Sequence, residues 1–311
     1  MQHDGTTTIF SSFNPFVDAY TAAVTGDTIY LPGGNIPFPA TIDKGLTIFG
    51  AGHYPSATLA TNNTVLNGGI AINGNADNLH LEGIEFTGGI TFNTNIKADN
   101  VLIKRCKVLD ITYNGTGTTP CENNTITGNV ILGNITLSNA YSCLVGNNII
   151  NKTIINGSNI VISNNILLFN DHGYVFNNVD NSNISNNIIF QKLNPEYVNA
   201  YCDLSTFSYN IFALAPNIGN NTFEANNWYG ITMSTVFVNQ TGNTFNYSHD
   251  YHLASPTTYV DAVATQIGIY GGIFPYKAEA MPTNPHIKSK SISTQTNNLG
   301  EINVNISVEA Q

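Results

Sequence analysis

The sequence predicts an all-β solenoid, a rod of stacked coils with about three short strands in each. Three observations lead there. A unit of the form apolar-x-x-Asn-x-apolar returns every 16 to 23 residues through the middle of the chain. A fixed internal period of this length marks a repeat whose copies contact only their neighbours. Counted from anchors at Ile84, Cys106, Asn129, Asn148, Asn165, Asn187, Asn210 and Asn226, both flanking columns are apolar in all eight copies. Leu81, Ile103, Ile126, Val145, Ile162, Ile184, Phe207 and Phe223 lie three residues before the anchor, and Phe86, Val108, Ile131, Ile150, Leu167, Ile189, Phe212 and Trp228 two after it. Finally, polarity comes without charge. Charged residues make up 10% of the chain and hydrophobic ones 42%, against roughly 25% charged in an average domain. Asn, Thr, Ser and Gly therefore supply the solubility, and the strict period argues against disorder.

Residues 1–60 read as an N-terminal cap with the first strands. Phe16 to Val24 is an amphipathic helical stretch, ended by Gly26-Asp27. Thr28 to Leu31 reads as a strand closed by Pro32-Gly33-Gly34, and Leu46 to Phe49 as another strand before a tight turn. A helix covering the open end of a solenoid protects strand edges that would otherwise invite aggregation.

Residues 61–229 form the repeat body. Apolar and polar residues alternate before each anchor, as a half-buried strand requires. Gly83, Gly128, Asn147, Asn164 and Asn186 directly precede their anchors. These residue types tolerate left-handed backbone, so a sharp bend falls there. A further apolar piece follows, as in Ile90-Thr91-Phe92 and Ile111-Thr112-Tyr113. Glu82 and Glu85 precede Lys104 and Lys107 by the anchor offset of 22 residues. The spacing thus stacks two opposite-charge surface pairs on neighbouring coils, each contributing at most about 1 kcal/mol.

Residues 230–311 read as final coils, a C-terminal cap and a strand pair, continuous with the body as one domain. The Asn spacing breaks down there, and Asn298-Leu299-Gly300 offers the turn of a terminal hairpin between residues 286 and 308.

A net charge of −10 with a single arginine, Arg105, argues against nucleic-acid binding, which needs a basic surface. No run approaches the roughly 18 apolar residues of a membrane span. Cys106 occupies an interior anchor, while the spacing of Cys121, Cys143 and Cys202 matches no zinc pattern and leaves their disulfide state open. No metal site and no cofactor is expected.

The units Val161-Ile162-Ser163-Asn164-Asn165-Ile166 and Asn183-Ile184-Ser185-Asn186-Asn187-Ile188 resemble coils of the right-handed parallel β-helix proteins, the pectin-lyase-like superfamily. The openings Gly26 to Gly33 and Leu46 to Gly52, and the closing segment Tyr251-His252-Leu253 to Ile267-Gly268, resemble those of its secreted bacterial members. The resemblance implies a right-handed parallel β-helix whose anchor asparagines point inward and form an amide ladder, starting here at Asn129. It also implies a secreted or cell-surface location, with any leader removed ahead of Met1. It does not single out an activity, because the fold hosts lyases, hydrolases, esterases, epimerases and non-catalytic adhesins.

Family lyases combine a Ca²⁺-binding acidic cluster with an Arg or Lys base. Here Lys104-Arg105-Cys106-Lys107 reads either as a uronate-binding patch or as a face paired with Glu82 and Glu85. Family hydrolases carry several Asp, a Gly-His-Gly and an Arg-x-Lys. This chain offers Asp171-His172-Gly173, which makes Asp171 and His172 the catalytic candidates, against the reading of a polar loop. Tyr113, Tyr174, Glu196, Tyr197, Tyr201 and Asp203 are candidate glycan contacts, since aromatic faces with carboxylates between them suit sugars.

The position after the anchor should face outward, yet it holds Val130, Ile149, Ile166, Ile188 and Ile211. Either the C-terminal segment covers this stripe, or a partner or second copy does, or the inward–outward assignment fails locally. The expected function is a non-catalytic scaffold presenting an extended surface to a polysaccharide or surface protein. The alternative is a polysaccharide-degrading lyase or glycosidase, with Ca²⁺ entering only in that case.

Overall fold

The computed structural model describes residues 1–169, 173–191 and 202–310. Short strands stack coil upon coil into three parallel sheets. The first sheet runs from Thr28–Tyr30 and Thr47–Phe49 through His80–Glu82, Leu102–Lys104, Thr125–Thr127, Leu144–Gly146, Val161–Ser163, Asn183–Ser185 and Thr206–Ser208 to Phe223–Ala225. The second holds the strands that leave the bend, such as Glu85–Phe86 and Ile188–Ile189; the third holds Ile70–Ile72, Ile90–Phe92, Ile111–Tyr113 and their successors. The chain is thus a parallel β-helix. The helix Pro15–Ala22 buries Phe16 and Ala19 against the first coils.

The alternation predicted for each strand is observed. Leu81, Ile103, Ile126, Val145, Ile162, Ile184 and Phe207 are each at most 1% exposed and stack in register through the first sheet. The residue at the bend is left-handed in every copy: Gly83, Arg105, Gly128, Asn147, Asn164, Asn186, Tyr209 and Asn226 all have φ between 51° and 73°. Interior asparagines then link coil to coil. Asn148 Nδ2 donates to Asn165 Oδ1 at 3.0 Å and to the Ile126 carbonyl at 2.8 Å, while its backbone N–H donates to the same Asn165 Oδ1 at 2.9 Å. The same three bonds recur from Asn129, Asn165, Asn187 and Asn210. Each amide fills the gap left where the bend interrupts the backbone hydrogen bonding.

Two details differ from the sequence reading. The last anchor is Asn227, not Asn226. Phe207 pairs with Glu224, and the next amide acceptor is Asn227 Oδ1, so the final copy is shifted by one residue. Phe223, read as interior, is 63% exposed, and Tyr229 rather than Trp228 lies over Phe212, with ring centroids 5.6 Å apart. At the open end no further coil selects the register, and apolar residues on both faces leave the pattern ambiguous. Glu82, read as a surface partner of Lys104, is fully buried.

Both findings on the outer face come from residues 230–283. Val130, Ile149, Ile166, Ile188 and Ile211 are all buried within the single chain. The last four pack with Val236, Phe237, Tyr251, Leu253, Ile267 and Ile269 in a second core outside the coils. The bend asparagines hold this cover: Asn147 Nδ2 donates to the Ile269 and Gly271 carbonyls, both at 2.8 Å, and Asn164 Nδ2 to the Gly268 carbonyl at 3.2 Å. Gly268 approaches so closely that an added Cβ would stand 2.7 Å from Ile188 Cδ1. Ile149, Ile166, Ile188 and Ile211 are therefore covered by the C-terminal segment, so these side chains are not open for contact with a second copy. Beyond this segment, His286–Ile292 and Val304–Glu309 form the expected antiparallel hairpin, with the tight turn at Asn297–Gly300.

Candidate functional site

Of the residues predicted as a glycan or catalytic patch, Tyr113, Tyr174 and Asp203 are among the described residues. Asp171, His172, Glu196, Tyr197 and Tyr201 lie outside them. Tyr113 is corrected outright: it is fully buried inside the coils and stacks on Phe92 with centroids 3.8 Å apart. In Ile111–Tyr113 residues 111 and 113 share the inward face, so the alternation that identified the strand also sends the ring into the core. Tyr174 is half-buried, beside Gly173, whose carbonyl accepts a bond from Gln191 Nε2 at 2.6 Å. Asp203 serves a bend. Its Oδ1 accepts the Asn220 N–H at 2.8 Å, and its own N–H donates to Asp180 Oδ1 at 2.8 Å.

Lys104, Arg105 and Lys107 are structural partners of the glutamates. Glu82 accepts from Arg105 Nη1 at 3.2 Å, His80 Nε2 at 2.9 Å, and the Thr283 N–H and Oγ1 at 2.9 and 3.0 Å; Lys104 Nζ stands 3.6 Å away. Burial by itself would raise the Glu82 pKa, but the bond from His80 and the charge of Lys104 bring it below the ordinary carboxylate value. Lys107 Nζ donates to Glu85 at 2.9 Å.

A concave surface missed by the sequence reading lies where the second sheet meets the C-terminal segment. A groove of about 660 Å³ is lined by Phe190 and Ala213 at the ends of two coil strands, by 230–234 and by 240–243. Phe190 is held by stacking on Phe237 at 5.8 Å. The buried Gln240 ties its own turn by donating to the Thr241 and Gly242 carbonyls at 3.2 and 2.9 Å. Thr232, Ser234, Thr241 and Asn243 are exposed along the groove, which carries no ionisable side chain. Beside it at Gly230, Tyr229 is 41% exposed and hydrogen-bonded to Glu224 and Asn227. Four separated stretches make the groove, so no single stretch of sequence announces it.

One exposed acid–base pair stands outside the groove. His252 Nδ1 lies 2.6 Å from Asp250 Oδ1, and its ring stacks on Tyr270 at 3.8 Å. His252 lowers the Asp250 pKa, first through its backbone N–H and then through the ring. Such a pair orients an imidazole as a general base. No group of three His, Cys, Asp or Glu side chains among the described residues is arranged to hold a metal ion.

The fold and site define a parallel β-helix protein with an uncharged surface groove. No protein-family model matches the chain, and no curated protein sequence matches it. Among solved structures it is similar to the crystal structure of pectate lyase Pel9A, with 14% identity, a TM-score of 0.46, and coverage of 83% of this chain and 92% of that one. No helix among the described residues is long and apolar enough to cross a membrane.

Proposed function

We propose that the chain is a secreted or cell-surface β-helix scaffold that binds a neutral polysaccharide in the groove between the second sheet and the C-terminal segment. The observation that carries this reading is the lining: hydroxyls and an amide from Thr232, Ser234, Thr241 and Asn243, apolar walls from Phe190 and Ile231, and no ionisable group. Sugars bind through such hydroxyl and amide contacts, with apolar ring faces against aromatic and aliphatic walls. The rigid coils hold one wall and the docked segment the other. The test is a binding screen of the whole chain against neutral and acidic polysaccharides, with and without Ca²⁺, alongside Ser234→Trp, which fills the groove. Retention of neutral glycan binding by this variant removes the groove from the reading.

A second reading, a polysaccharide-degrading enzyme, has the Asp250–His252 pair in its favour. Release of shortened or unsaturated sugars, lost in His252→Ala, would establish that reading and sink the scaffold.

A further inference from the structure

Positive charge is scarce in this chain, yet three of its ten Lys and Arg residues meet at one small hollow. The hollow, of about 250 Å³, is bounded by Lys104, Arg105, Thr127 and Gly128 on the coils and by 273–277 on the C-terminal segment. Glu82, fully buried, is the carboxylate paired with Lys104 and Arg105; Lys277 makes no ion pair among the described residues. The charge of Glu309 also reaches Lys277, but Glu309 is ion-paired with Lys288 at 2.7 Å; with that pair neutral, three cations against Glu82 leave an excess of two positive charges. The crowding shows in Lys277, whose pKa is pushed down by burial and then by the charge of Arg105. A bound anion relieves such crowding.

Two further observations point into the same hollow. Arg105 has φ 51° at a bend where the other copies carry Gly or Asn, apart from Tyr209. A bulky residue held in left-handed backbone is retained against its conformational preference. Its guanidinium has five N–H donors, and both bonds found for it leave from Nη1, to Glu82 and to the Met281 carbonyl. Thr127, the register neighbour of Lys104 on the next coil, is 4% exposed, and its Oγ1 has no hydrogen-bond partner.

We propose that this hollow binds a small tetrahedral oxyanion carrying two negative charges, free phosphate or sulfate or a phosphate monoester group. Lys277, Lys104 and the remaining Arg105 donors hold its oxygens, with the Thr127 hydroxyl beside them. A carboxylate brings two oxygens and one charge, whereas a tetrahedral dianion matches both the number of cationic donors and the charge excess. The volume admits the charged group and not a sugar chain, and Phe274, 52% exposed, flanks it. The hollow shares no residue with the groove, so each stands or falls separately.

The test is calorimetric titration of the whole chain with inorganic phosphate, inorganic sulfate and acetate at matched ionic strength. Phosphate or sulfate is expected to bind at least tenfold more tightly than acetate. Lys277→Gln, which leaves the Glu82 contacts intact, is expected to weaken that binding tenfold or more with an unchanged melting temperature. Lys290→Gln, on the exposed hairpin, serves as the unaffected control. A separate titration with a phosphorylated monosaccharide distinguishes the ester from the free ion. Equal binding of acetate overturns the oxyanion class, and absence of phosphate and sulfate binding, or an unchanged affinity in Lys277→Gln, overturns the site.

Discussion

Glu82 fastens the far end of the C-terminal cover, at Thr283, to the coils, and replacing it by Gln tests that role. The carboxylate is fully buried and takes bonds from His80, Arg105 and both donors of Thr283, with Lys104 3.6 Å away. Gln keeps the shape and one acceptor oxygen but removes the charge. Arg105 and Lys104, with side chains 13% and 24% exposed, then stand together without a counter-ion. Breaking a buried ion pair from one side costs about 3–5 kcal/mol, and the partial exposure of both cations places this case near 3 kcal/mol. Because Met281 and Thr283 are the segment's contacts to this cluster, the loss should be seen first as opening of the segment after residue 280. Denaturant unfolding gives the magnitude, and hydrogen exchange or limited proteolysis gives the location. The pH dependence follows from the depressed carboxyl. The stabilisation is complete above the ordinary value of 4.5 and is lost as pH falls through the lower folded value. A Glu82→Gln protein that loses under about 1 kcal/mol and shows no added exchange in the C-terminal segment would refute the clasp.

Three other outcomes are expected. Asn165→Leu orphans the Asn148 N–H and removes bonds to the Val145 carbonyl and Asn187, costing about 2–5 kcal/mol at roughly 1–3 kcal/mol per buried unsatisfied group; Asn227→Leu, at the part-buried end, should cost visibly less in the same denaturant titration. His53 is buried and neutral, with its pKa lowered by burial from 6.5 to about 3. Its contribution is therefore present above pH 6.5 and lost toward pH 3, and His53→Gln should flatten that part of a melting-temperature profile. The four cysteines are buried free thiols, with burial pushing Cys106, Cys143 and Cys202 up to about 12 and Cys121 to about 11. A thiol reagent at neutral pH should titrate none of them in the native protein and four after denaturation; prompt native reaction would contradict that packing.

What the sequence by itself determined is the coil. The columns at Leu81–Phe207 and Phe86–Phe212, the left-handed bends and the inward asparagines follow from a period that every copy repeats, and each copy contacts only its neighbours, so local pattern suffices. Even the charge offset of Lys107 on Glu85 was readable in this way. The pattern failed where the repeat loses its neighbour, at Asn226 and Asn227, and where one residue type suits two environments, as with Tyr113, a glycan contact on paper and a core ring in the fold. Only the tertiary structure decided what lies on the rod. The cover over Ile149 to Ile211, the burial of Glu82, the uncharged groove and the cationic hollow all join coil residues to partners far along the chain, such as Asn147 to Ile269 and Glu82 to Thr283. Segment 230–283 has no period, so the sequence offered it only as one of several covers for the stripe; its position is selected by the apolar stripe and bend asparagines that the coils present.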